Sequence, residues 1–140
     1  MNFVRNTRSI IFLAICGMSA FSQTPPSATV YFYQYRWSGV QVGGKVRLPV
    51  LCDGEKIASI QPNTSFAFPL TSGKHVFSSD DKRSVVELNA KPGEVYYVRV
   101  DPYTPGLIVH GSVTLVPPEQ GKPELEKTQP LPAKYLRGAH

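Results

Sequence analysis

The chain has 140 residues, with 15 lysines and arginines against 10 acidic residues, and only two cysteines. That length suits one domain with a real but modest core. The basic residues are scattered and form no block, which points to solvated faces and away from a nucleic-acid surface.

Arg5 and Arg8 precede an apolar run from Ile10 to Phe21 that is interrupted only by Gly17 and Ser19. This is the pattern of a secretory signal, and the run is too short for a permanent transmembrane helix, which needs roughly 20 apolar residues. Small residues at Ala20 and Ser22 predict cleavage after Ser22, giving a signal peptide over 1–22 and a short linker over 23–27. Losing Arg5 and Arg8 lowers the formal charge from +5 to +3. Cys16 raises the alternative of a lipid-anchored lipoprotein. Ile15 argues against it, because the residue before a lipobox cut must be small. Periplasmic or extracellular release is therefore the expectation, with a membrane anchor through Cys16 as the alternative. Without the signal, Cys52 is the sole thiol, so no internal disulfide can form.

Residues 28–37 (ATVYFYQYRW) predict a first strand, with Tyr31, Tyr33, Tyr35 and Trp37 on one face and Val30 and Phe32 on the other. Residues 38–44 read as a loop or a weak, bulged continuation. A second strand over 45–52 contains Pro49, which implies an edge position or a bulge. Asp53-Gly54 then predicts a hairpin turn, followed by a short strand over 55–60. Phe66 and Phe68 share one side of the next segment. Residues 75–79 and 84–90 read as strands flanking a charged tip, Asp80 to Arg83. After Lys91-Pro92-Gly93-Glu94, the alternation in VYYVRV predicts a strand over 95–100. Residues 107–116 give a last strand, interrupted at Gly111. No stretch holds a helical apolar period for three turns. The expected fold is therefore all-β: a small antiparallel β-sandwich of seven or eight short strands over 28–121. Residues 122–140 are rich in proline and charge and predict a flexible tail, with Leu125, Leu131, Tyr135 and Leu136 as the residues that would instead lay a short segment against the domain or form a linear contact site for a partner.

The order of ATVYFYQYRW, DGEKIASI, the Phe66/Phe68 segment, SGKHVFSSD, AKPGEVYYVRV and the strand over 113–116 resembles the DUF2846 family of exported bacterial domains of unknown function. The resemblance spans roughly residues 28–121 and implies a transthyretin-like sandwich for which no catalytic residues are established. SGKH stands where that family usually has a proline-glycine turn, and Ile15 departs from its lipoprotein members.

The chemistry-bearing residues form no recognised catalytic or ligand spacing. Cys52, His75 and His110 lie far apart along the chain, and no serine sits in a nucleophile elbow. Asp53, Glu55, His75, Asp80, Asp81, Asp101 and His110 are metal-ligand types near turns, but none falls in a zinc or calcium motif. The expectation is a non-enzymatic accessory or interaction domain of the cell envelope, with no catalytic residue, cofactor or metal, contacting a protein or envelope polymer. The alternative is a ligand- or glycan-binding module that uses Tyr31, Tyr33, Tyr35 and Trp37 as an exposed aromatic face.

Overall fold

A computed structural model describes residues 26–35 and 46–137. The signal segment, Cys16 and Trp37 lie outside the described residues. Two sheets face each other. The first contains β1 (Ser27–Gln34), β4 (Thr64–Thr71), β7 (Val95–Tyr103), β8 (His110–Val116) and the two-residue β9 (Gln129–Pro130), in the order β8-β7-β1-β4-β9. The second contains β2 (Leu48–Cys52), β3 (Glu55–Ile60), β5 (Gly73–Ser78) and β6 (Val85–Ala90), in the order β3-β2-β5-β6. The result is a small all-β sandwich.

Alternation explains the core. Val30 and Phe32 of β1, Leu48 and Val50 of β2, Phe77 of β5 and Val98 and Val100 of β7 all point between the sheets and are buried. Phe32 sits at the centre, stacked on Phe66 at 5.1 Å and edge-on to Phe77 at 5.2 Å between ring centroids. Asp53 and Gly54 both take positive φ (51° and 82°), as a tight hairpin turn between β2 and β3 requires. Pro49 lies in an interior strand and not at an edge. The β2–β3 register shifts just after it, between Val50 and Leu51, while β5 pairs only with Leu51 and Cys52.

Three expectations need correction. The sandwich is not wholly antiparallel, because β1 runs parallel to β7 and β9 runs parallel to β4. Strand periodicity carries no information about the direction of a distant partner. The last long strand begins at His110, so Leu107 and Ile108 fall in the β7–β8 connection and are exposed. The third correction concerns the expected tail. Residues 118–126 form a helix, α1 (Pro118–Glu126), and the chain continues into β9 and a short 3-10 helix (Ala133–Tyr135).

This C-terminal segment closes one side of the sandwich. The Gln129 and Leu131 N–H groups donate to the Asn63 and Ser65 carbonyls, and Leu131 enters the core. Further on, Leu136 bridges to Ala58 of β3, and the Arg137 N–H donates to the Ile57 carbonyl. The segment thus spans from the β4 edge of one sheet to the β3 edge of the other. On the opposite side, the Ser84 hydroxyl accepts from the Val113 N–H at 2.9 Å, linking the chain beside β6 to β8. No helix among the described residues is long and apolar enough to cross a membrane.

Candidate functional site

The aromatic face of β1 was the expected ligand surface. In the structure α1 lies across it. Tyr33 is fully buried in a small cluster with Tyr97 and Val116, and Tyr31, Tyr35 and Leu125 pack against that cluster half-buried. Tyr31 stacks on Tyr97 with ring centroids 5.8 Å apart. The Tyr33 hydroxyl donates to Glu124 Oε2 of α1 at 2.6 Å, and Arg99 approaches Glu124 Oε1 at 3.4 Å while pairing with Asp101 at 2.8 Å. The chain's own helix therefore occupies the face on which a ligand was expected to stack, and Tyr33 offers no ring to solvent. What stays open is a pocket of about 510 Å³ lined by Tyr35, Arg99, Asp101, Pro102 and Glu124. Its charges already pair with one another.

The histidines are not brought to one another's partners. His110 Nδ1 meets Asp80 Oδ2 at 3.2 Å, beside a short hydrogen bond from the Gly111 N–H to Asp80 Oδ1. These contacts tie the β5–β6 tip to the start of β8. His75 instead meets Asp53, with Nδ1 2.6 Å from Oδ2, while His75 Nε2 lies 2.7 Å from the Thr71 carbonyl. Cys52 Sγ is 3.7 Å from the same Asp53 Oδ2. Ligand-type atoms of Cys52, Asp53 and His75 all lie within 4.8 Å of one another.

Sequence reasoning had no reason to join these three. Cys52 and Asp53 are adjacent at the end of β2, but His75 arrives only through the pairing of β5 with β2, where Cys52 faces Phe77. Asp53 is held from both sides, because its N–H donates to the Val76 carbonyl and its Oδ1 accepts the Val76 N–H. Hydrogen bonds from His75 and Val76 hold the Asp53 carboxyl below its ordinary value. Burial, and then the neighbouring carboxylate, pushes the Cys52 thiol up to about 11. At neutral pH the thiol is protonated, which is the opposite of what a cysteine nucleophile requires.

A third feature is the connection between β7 and β8. Leu107 is fully exposed, and Ile108 and Tyr103 are 68% and 46% exposed. Pro102 and Pro105 both precede Leu107 and Ile108 and restrict the backbone on that side. Beside it lies the β5–β6 tip, where Asp80 and Asp81 are followed by Lys82 and Arg83, joined through the Asp80 contacts to His110 and Gly111. The apolar stretch over 107–116 had read Leu107 and Ile108 as the start of the last strand, so their exposure in a connection was not legible beforehand.

No family model, curated protein or solved structure matches this chain.

Proposed function

We propose that the chain is an exported, non-enzymatic interaction module of the cell envelope, and that its contact point is the hairpin tip at Tyr103, Leu107 and Ile108. The observation that carries this reading is the full exposure of Leu107 beside the largely exposed Ile108. Both lie on the β7–β8 connection, which Pro102 and Pro105 lead into and which the contacts of Asp80 with His110 and Gly111 hold at its far end. Apolar side chains held out in water by a stiff scaffold have little ordering left to lose when a partner covers them.

The occupant we favour is a protein with a complementary apolar pocket. The neighbouring β5–β6 tip carries both signs, with Asp80 and Asp81 followed directly by Lys82 and Arg83. An apolar centre with a polar rim of both signs suits a protein interface, whereas an anionic lipid surface selects clustered cations. The signal pattern over 1–22 supports export. The resemblance to the DUF2846 family supports the same setting, and we extend it to a proposal of membership.

A photo-crosslinking residue at Leu107, introduced in the native host, tests this reading. The expected result is one discrete protein adduct on a chain whose mature mass begins at Gln23. That adduct should disappear when Ile108→Asp is added, and a probe at Lys91 should not form it. A lipid adduct, the same products from the Lys91 probe, or a chain retaining Met1 would overturn the proposal.

A further inference from the structure

We infer that Cys52, Asp53 and His75 form a divalent-metal site, and that zinc is the cation their donors suit. The site is separate from the hairpin tip. Thr71 pairs with Ser27 at the start of β1, the end at which β7 also begins, whereas the tip follows the far end of β7.

The argument rests on donor chemistry and on which atoms are already committed. One thiol sulfur, one carboxylate oxygen and one imidazole nitrogen converge within 4.8 Å. In a tetrahedral zinc site with bonds of about 2.0–2.3 Å, neighbouring ligand atoms sit roughly 3.3–3.7 Å apart. The 3.7 Å between Cys52 Sγ and Asp53 Oδ2 already fits that spacing. The 2.6 Å between Asp53 Oδ2 and His75 Nδ1 is a hydrogen bond, and it opens to ligand spacing by a small rotation of the carboxylate once the proton is displaced.

The half-buried His75 and the exposed Asp53 are each oriented by their other polar atom. His75 Nε2 faces the Thr71 carbonyl at 2.7 Å, so an Nε2–H donated there leaves the Nδ1 lone pair for the cation. Metal-bound histidines are commonly held through a carbonyl in this way. Asp53 Oδ1 accepts the Val76 N–H at 2.9 Å, which leaves Oδ2 toward the sulfur and the imidazole. Cys52 is buried, and the Asp53 side chain is 49% exposed. The cation therefore enters from the solvent side and keeps one position for water. Binding displaces the thiol proton, and the imidazole proton when the ring is charged, into solvent.

The test uses the untagged full chain in a Cys16→Ser background, stripped of metal and titrated with zinc and separately with cobalt. We expect one equivalent to bind, and the cobalt form to show the sulfur-to-metal charge-transfer band of a thiolate ligand. Cys52 is the only thiol in that background, so the band alone identifies the ligand even if a variant misfolds. Cys52→Ser should abolish the band. His75→Gln should weaken zinc binding by at least the roughly 10- to 100-fold that loss of an outer-shell partner costs. His110→Gln should leave both readouts unchanged. Absence of stoichiometric binding, absence of the band, or binding indifferent to Cys52→Ser and His75→Gln would overturn the inference.

Discussion

Gly121 illustrates how one residue sets the fit of a whole element. It is the buried residue of α1, and a Cβ added there would lie 2.6 Å from both Cβ and Cγ of Tyr97. Those atoms sit close to the β7 backbone and cannot swing aside. Gly121→Ala would gain roughly 1 kcal/mol of helix propensity. Overpacking against a rigid neighbour costs about 1–3 kcal/mol, so the clash should prevail. We expect Gly121→Ala to lower stability in urea unfolding and to raise the solvent exposure of Tyr33, read by tyrosine fluorescence. A gain in stability would show that α1 is not seated on Tyr97. The glycine was visible in the sequence, but its role was not, because nothing local says that Tyr97 lies opposite.

At the scale of elements, α1 is a helix that its own sequence barely supports. It has nine residues, carries Pro123 inside, and has no side-chain cap at its start. A helix of that length is marginal in isolation, so tertiary contacts hold it. Pro118 and Glu119 do mark a start, since proline and acidic residues suit the first turn. The missing signal is an apolar stripe. Instead the helix docks through a glycine, the half-buried Leu125 and the ionised Glu124. Burial alone would raise the Glu124 carboxyl. Hydrogen bonds from Tyr33 and Gln120 and the charge of Arg99 outweigh burial and hold it below its ordinary value. A carboxyl depressed in the folded state contributes stability above its unfolded value, near 4.3, and that contribution is lost as pH falls through the folded value. Docking of α1 should therefore loosen as the solution is acidified below about pH 4.3. Glu124→Gln should flatten this component of the pH profile measured by near-ultraviolet circular dichroism. An unchanged acid transition in Glu124→Gln would assign it to other carboxylates.

For the molecule as a whole, the decisive feature is how the two sheets are closed. One side is stitched by Ser84 to Val113, the other by the segment from β9 to Arg137. Leu131 anchors that segment with only 6% of its surface exposed. Leu131→Ala should cost about 2–5 kcal/mol, the range for a buried leucine. It should also speed amide exchange at Arg137, whose N–H donates to the Ile57 carbonyl, and along β3, whose edge the segment covers. Exchange confined to residues 129–137, with β3 unaffected, would mean that the segment lies on the sandwich without closing it.

The strands were legible because their information is local. Alternation places Val30, Phe32, Val98 and Val100 on one side of their strands wherever those strands end up, and Asp53-Gly54 dictates a tight turn without reference to the rest of the chain. These features suffice for an all-β sandwich and for most of its core. Partnership is different, because it depends on which segments meet across long loops. The parallel pairing of β1 with β7, the arrival of His75 at Cys52 and Asp53, and the outward position of Leu107 and Ile108 follow from strand order, which no short window encodes. The C-terminal segment makes the same point. Its prolines and charges look unable to pack, yet a few apolar side chains and a glycine suffice once a finished sandwich offers them an open edge and an aromatic face.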